Sequence, residues 1–328
     1  MKSKFLFLPT LLISFFFLIS CSSDNKSYIS GNAFGSIYHV SIENIKDIDP
    51  FIIKSNIDFI IKNIDNAASN YKVNSEISTF NRSNITSFKL ISSNLYKIIS
   101  KANKASILTN GFFDITVGDI KINKGFYIDS KKAVSRNNNI YSYKDIKISK
   151  DTSSIQKINA GINIDLSGIA KGYAVDMINN YLVSLNISNF IINIGGEIRS
   201  NSNNNVNKIL IDDPSKRSQY IEEIFILNKS IASSGTYIDF INYKGKEISH
   251  IVNPKTLKNV SNLNLLVSVV HDNCSMADAV ATGLLAMDHA DIINFSNANN
   301  IATMLVLFDE NKIEKFYSEK FIKFLSKE

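Results

Sequence analysis

With 328 residues and 45% hydrophobic content, the chain holds enough apolar material for one large or two medium domains with a real core, which excludes a disordered polymer. The formal net charge of +6 comes from scattered basic residues with no tryptophan and no basic stripe interleaved with aromatics, so the charge does not call for nucleic acid. Two cysteines and four histidines, none at ligand spacing, exclude a zinc set.

Met1-Lys-Ser-Lys4 is a positive leader, and residues 5–19 form an apolar run too short for a comfortable membrane span, the pattern of a secretion signal. The run ends in Leu18-Ile19-Ser20-Cys21, which resembles a bacterial lipobox. Residues 1–20 are therefore expected to be a lipoprotein signal peptide, with Cys21 acylated as the mature N-terminus; an ordinary cleaved signal or an uncleaved anchor is the alternative. Acylation would leave Cys274 alone, so no disulfide is expected. Residues 21–30 read as a tether holding a domain of residues 31–328 close to a membrane.

Residues 34–42, Phe34-Gly35-Ser36-Ile-Tyr-His-Val-Ser-Ile42, alternate as a strand does after a glycine. Asp49-Pro50 is a helix start, and Ile53, Ile57, Ile60, Ile61 and Ile64 mark the apolar face that follows. A polar segment comes next, Ser69-Asn-Tyr71-Lys-Val-Asn-Ser75-Glu76, with Tyr71 either reaching a ligand or packing on the helix. Leu95, Ile98, Ile99, Ala102 and Ala105 predict a second amphipathic helix ending near Asn110-Gly111. Phe112 and Phe113 then offer an aromatic wall or plain strand core. Residues 119–154 read as short strands and surface turns.

Residues 161–196 are the chain's centre. Ile162, Ile164 and Leu166 alternate with polar residues and predict a strand; Ala170, Ala174, Met177, Ile178, Tyr181 and Leu182 recur at helical spacing. Phe190-Ile-Ile-Asn-Ile194 predicts a further strand closed by Gly195-Gly196-Glu197, so the unit reads as β-α-β with glycines at both junctions. Such a helix N-terminus, with Lys171 in its first turn, suits a phosphate. The same residues also serve a bland purpose, with Gly168 and Gly172 for close packing and Lys171 solvated. Residues 209–214 resume the strand pattern, Val267-Ser-Val-Val270 is a strand, and Ser275 is placed to cap a helix beginning near Met276. Asp278 and Thr282, four residues apart, share one face of it among small neighbours. They either face a ligand or bond within their own helix. Residues 301–307 and an amphipathic tail over 313–325 close the chain.

The polar inventory is thus a lysine at a helix N-terminus, an acid and a hydroxyl on another helix, and His250 before the turn at Pro254. Carboxylate, hydroxyl and backbone carbonyl are hard donors suited to Mg²⁺ with phosphate oxygens and water.

Asp165-Leu-Ser-Gly-Ile-Ala-Lys-Gly-Tyr-Ala-Val-Asp176 closely resembles the signature of the bacterial FAD:protein FMN transferase (ApbE) family. Shorter matches agree in order. They are Ser69 to Ile77, Gly111-Phe-Phe-Asp-Ile-Thr-Val-Gly118, Ser230 to Tyr237, Ser249-His250-Ile-Val-Asn-Pro254-Lys-Thr256, and Ala277 to Thr282. Leu257 stands where the family has glycine, and Phe34 and Ser36 replace its usual Met and Thr. The resemblance implies a mixed α/β fold, a two-lobed T-fold-like body with mixed or antiparallel sheets flanked by helices. It implies Mg²⁺ held by Gly168, Asp278 and Thr282, and FAD contacted by Phe34, Tyr71, Phe112, Phe113, Asp114, Asp165, Lys171 and Val252. His250 would serve as base and Lys171 would face phosphate charge. The implied reaction joins FMN from FAD to a Thr or Ser hydroxyl and releases AMP. The implied acceptor is an exported segment of an Rnf-type or Na⁺-translocating NADH:quinone reductase subunit, at the periplasmic face of a membrane. A lipoprotein that holds or hydrolyses FAD without a protein acceptor is the alternative.

Overall fold

The computed structural model describes residues 26–45, 48–127, 141–214, 219–237, 240–243, 246–260, 265–308 and 312–327. Cys21 and the signal segment lie outside them. Residues 26–30, read above as tether, are already strand: Lys26–Ala33 (β1) pairs antiparallel with Ser36–Glu43 (β2). The two-residue turn between them holds Phe34 at φ 51° and Gly35 at φ 78°, the left-handed pair that suits the twist of a tight hairpin. Six more strands extend this sheet, Phe190–Ile194 (β3), Glu197–Asn201 (β4), Lys229–Gly235 (β5), Leu265–His271 (β6), Ala302–Phe308 (β7) and Ile313–Tyr317 (β8). Their spatial order is their chain order, and every pairing is antiparallel.

The central strands are buried on both faces, which explains their unbroken apolar runs. In β6, Leu265, Val267 and Val269 join the larger core, while Leu266 and Val270 join a second one. The larger core lies under a helical layer of Pro50–Ala68 (α1), Glu76–Arg82 (α2), Ser93–Leu108 (α3), Ala170–Ser184 (α5) and Cys274–Leu285 (α6). The second is covered by the hairpin Asn207–Asp212 with Tyr220–Ile226 and by Phe321 and Phe324. The expected mixed fold with antiparallel sheets flanked by helices is what the chain adopts.

Local chemistry accounts for the helix ends. Asp49 accepts the Phe51 N–H at 2.8 Å with Pro50 in the first turn, and Ile53, Ile57, Ile61 and Ile64 are buried as their spacing predicts. Four expectations are corrected. Residues 119–154 contain a helix, Gly118–Lys124 (α4), besides the strands Ile146–Ser149 and Ser154–Lys157. Its short length and two lysines in the last turn hide it from a periodicity count. Phe112 and Phe113 lie in a turn before the 3₁₀ segment Ile115–Val117 and not in a strand. The amphipathic tail divides into β8 and a single helical turn, Glu319–Ile322. No strand forms over residues 162–166, for a reason that belongs to the site. Leu257, where glycine was expected, keeps a left-handed backbone at φ 58°. That conformation is strained for a side chain, and packing of Leu257 against Val117, Ile120 and Val252 offsets it.

Candidate active site

Residues 162–166 are extended but have no strand beside them; two asparagine side chains take the ladder's place. The Asn81 amide accepts the Ile164 N–H and donates to the Ile164 carbonyl, both at 2.8 Å. The Asn70 amide accepts the Leu166 N–H at 3.0 Å and donates to the same carbonyl at 2.7 Å. Asp165 N–H reaches the Ile115 carbonyl, and Gly118 N–H the Asn163 carbonyl. Beneath them the buried Lys157 ammonium donates to the carbonyls of Asn81 and Ala160. The alternation seen in the sequence is real, because Ile162, Ile164 and Leu166 are all fully buried, but the backbone is satisfied by side chains.

This cradle aims Asp165 and the following turn. The Asp165 carboxylate is ion-paired to Lys121 at 2.5 Å and accepts from Tyr127 Oη at 2.8 Å and Ser167 N at 2.9 Å. Burial by itself would raise its pKa; Lys121 and the hydrogen bonds outweigh that and hold it below the usual carboxylate range.

Helices α5 and α6 then lock together. A Cβ on Gly172 would sit 2.5 Å from the Cys274 carbonyl oxygen, so only glycine allows this approach. Across it, Gly172 N–H donates to Asp278 Oδ2 at 3.0 Å. In return, Asp176 of α5 accepts from Cys274 N at 2.7 Å and from the Ser275 N–H and hydroxyl. Each helix start is therefore served by an acid of the other. Two expectations change. Ser275 does not cap its own helix, since Asp176 supplies that acceptor from outside, and one anion at the N-terminus of α5 is already a carboxylate, Asp278.

Thr282 lies one turn on, its hydroxyl sharing a 3.1 Å hydrogen bond with Ser234. A Cβ on Gly168 would come within 3.0 Å of Thr282 Oγ1, so the glycine turn and this face of α6 meet directly. Lys171 Nζ lies 2.9 Å from Glu197 Oε1. Burial pushes Asp278 up to about 6 against the pull of Lys171 and Gly172 N–H. It pushes Glu197 up to about 8, Lys171 again opposing and Asp278 adding to the rise.

The glycine turn, Lys171, Glu197 and this face of α6 border one cavity of about 700 Å³. Phe34, Tyr71, Gly168, Lys171, His250, Asp278 and Thr282 are on its wall. Phe34 stands at the β1–β2 hairpin tip. Tyr71 is 64% exposed and meets the Tyr127 ring edge-on at 5.0 Å. Phe112, Phe113, Asp114, Asp165 and Val252 border a smaller recess of about 30 Å³, which Gly168 and Thr282 also line. Lys255 Nζ lies 3.7 Å from the centre of the Phe112 ring, and Phe113 packs against Gly168 and Gly283. The Asp114 carboxylate accepts from Thr116 N, Thr116 Oγ1 and Tyr143 N, which places it as a brace of its own loop.

The donors present suit a hard cation. Asp278 and the Thr282 hydroxyl are oxygen donors beside the Gly168 turn, and Glu197 adds a buried oxygen, Oε2, without a hydrogen-bond partner. Among the described residues no cluster of three or more His, Cys, Asp or Glu could hold a metal, so a cation here would complete its shell with hydroxyl, carbonyl, water and phosphate oxygens. Sequence reasoning missed Lys121, Tyr127, Asn70, Asn81 and Glu197 as parts of this site. Asn70 and Asn81 adjoin the Tyr71 segment, and Glu197 follows Gly195-Gly196; those adjacencies were the available signals.

Residues 34–305 match the ApbE family. A FAD:protein FMN transferase of Vibrio cholerae serotype O1 is 28% identical over 329 residues, covering 96% of this chain and 98% of that protein. One from Buchnera aphidicola subsp. Schizaphis graminum is 30% identical over 329 residues, covering 96% of each. The solved flavin transferase ApbE from Vibrio cholerae aligns with a TM-score of 0.77 at 27% identity, over 92% of this chain and 99% of that one.

Proposed function

The chain belongs to the ApbE family, and from that premise we propose that it is a Mg²⁺-dependent flavin transferase that moves FMN from FAD onto a protein hydroxyl. The acceptor's Thr or Ser oxygen attacks the FMN-side phosphorus of FAD, a P–O bond to it forms, and the diphosphate bridge breaks so that AMP leaves. FMN remains on the acceptor as a phosphoester.

The observation that supports this reading is the meeting of Gly168 with Asp278 and Thr282 on one cavity wall, together with Lys171 and His250. Bound there by Asp278, Thr282 and the Gly168 carbonyl, Mg²⁺ would neutralise charge on the diphosphate. Lys171 adds a fixed positive charge on the same wall. His250, on the same wall, takes the proton of the attacking hydroxyl. Phe34 and Tyr71 present aromatic surface at the cavity mouth for the flavin ring, and the Asp165–Lys121–Tyr127 group keeps the glycine turn rigid beneath it.

In this reading the enzyme is exported and held on a membrane through Cys21, which the leader and lipobox-like sequence support. Its acceptor would be an exported segment of a redox complex such as an Rnf-type or Na⁺-translocating NADH:quinone reductase. The test is incubation with FAD, Mg²⁺ and an acceptor subunit, followed by denaturing electrophoresis and flavin fluorescence. Fluorescence should stay with the acceptor and vanish with Asp278→Ala, whose melting curve should still show a folded protein. Normal transfer by Asp278→Ala would overturn the metal assignment, and flavin released as free FMN in the presence of acceptor would overturn the transferase reading.

A further inference from the structure

Glu197 opens β4, directly after the Gly195–Gly196 turn whose backbone is left-handed at both positions (φ 61° and 104°). The turn swings the chain so that this side chain points back under the cavity, where it is 3% exposed. One oxygen, Oε1, is 2.9 Å from Lys171 Nζ; the other, Oε2, is sealed from water with no hydrogen-bond partner. A glutamate serving only the fold would have both oxygens bonded, because an open buried acceptor costs stability and contributes nothing to packing.

Lys171 supplies the reason for the arrangement. It is the second residue of α5, paired with Glu197, and the next residue, Gly172, donates to Asp278, so the ammonium is held near both buried carboxylates and its charge opposes the rise in the pKa of each. If Glu197 were neutral, Asp278 would be the main anion left to hold that ammonium. A lysine closed over Asp278 would occupy the carboxylate that a cation needs.

We infer that Glu197 is a positioning residue that holds Lys171 away from Asp278, leaving the Asp278 carboxylate open to a divalent cation and the Lys171 ammonium turned to the cavity. The inference rests on the metal reading above and concerns how the site keeps a lysine and a cation as neighbours. Glu197 acts through Lys171, so its effect must disappear when Lys171 is gone.

The experiment is Mn²⁺ binding to the FAD-free protein, read by electron paramagnetic resonance and calorimetry, which needs no turnover. Measured above about pH 8, where Glu197 is ionised, Glu197→Gln keeps the side chain's shape and should weaken Mn²⁺ binding by about tenfold or more, a clear shift in the binding constant. Lys171→Met should bind Mn²⁺ at least as well as the parent chain, and adding Glu197→Gln to Lys171→Met should change the affinity by less than about threefold. Parent-like Mn²⁺ affinity in Glu197→Gln would overturn the inference, as would a loss that persists in the double variant. If Glu197→Gln fails to fold, Glu197→Ala, checked by thermal melting, takes its place in the same comparison with Lys171→Met. A parent chain that binds no Mn²⁺ would instead remove the metal reading itself, and this inference with it.

Discussion

Gly172→Ala tests the contact on which the site geometry depends. The added methyl would lie 2.5 Å from the Cys274 carbonyl oxygen and 2.8 Å from the Cys274 carbonyl carbon and Ser275 Cα, whereas ordinary contact begins at 3.4 Å. Those neighbours are backbone atoms of a helix start, so no side-chain rotation relieves the overlap; the helices must part by roughly 1 Å. Overpacking of that size costs on the order of 1–3 kcal/mol, and the Gly172 N–H to Asp278 bond lengthens as α6 moves away. The functional loss should be larger than the stability loss. Lys171 sits on α5 while Asp278 and Thr282 sit on α6, and a 1 Å displacement of reacting groups can cost about a hundredfold in rate. The assay is the initial rate of covalent flavin appearance on an acceptor across a Mg²⁺ titration, alongside a melting curve. Expected are a melting point lowered by several degrees, a right-shifted Mg²⁺ dependence and a rate reduced about a hundredfold. Parent-like rate and melting point would refute the close approach of these two helices.

Three further outcomes follow from the same geometry. Asp278 and Glu197 titrate above their ordinary values, at about 6 and about 8, so the folded chain binds more protons than the unfolded one between about pH 4 and 8. Stability of the metal-free protein should therefore be full at the acid side of that window and fall by at least about 1 kcal/mol as pH rises through it. Melting curves at pH 5 and pH 8, with and without Mg²⁺, check this; a melting point that rises with pH in the absence of the cation contradicts it. Asp176→Ala removes the acceptor of Cys274 N and Ser275 N and should cost about 1–2 kcal/mol, the range for a lost helix cap. Chemical denaturation measures that cost, and a change within error would mean α6 starts without help from α5. Asn81→Ala leaves Ile164 N–H without its acceptor, at a cost of roughly 1–3 kcal/mol. Amide exchange at Ile164 should accelerate, and unchanged protection there would show that the asparagine does not carry the segment.

Much of the architecture could be read from periodicity because the residues that set it act locally. The cap at Asp49-Pro50 and the isoleucine stripe of α1 depend on neighbours within a turn or two, and both appear where spacing puts them. The segment at 162–166 shows the limit. Its alternating burial is the same in a strand and in a cradle, since period two records only that a chain is extended with one face inward. What decides between them is the partner of the backbone, and here the partners are the side chains of Asn70 and Asn81, 94 and 83 residues away from Ile164. No local pattern encodes that. The left-handed backbone at Leu257 fails differently: the position asks for glycine, and only the packing with Val117, Ile120 and Val252 shows how leucine is tolerated.

The site divides along a similar line, between residues that offer chemistry and residues that keep it available. Gly168, Lys171, His250, Asp278 and Thr282 could be named from their motifs, and each borders the cavity. Their supports could not. Lys121 balances Asp165 from a helix the sequence did not reveal. Asp176 belongs to the signature stretch, yet its contacts are with the start of α6, across the helix interface. A lone buried acid beside a lone lysine would simply neutralise one another, and such a pair has little left for a ligand. In this chain three acids, Asp176, Glu197 and Asp278, surround the junction of α5 and α6, with Lys171 on Glu197 and Lys101 on Asp176. The third acid, Asp278, is left with a backbone N–H as its hydrogen-bonded partner, which on the metal reading leaves a carboxylate for a divalent cation. On that reading, cation binding in this pocket depends on how the charges are paired off, and the count of carboxylates alone would not produce it.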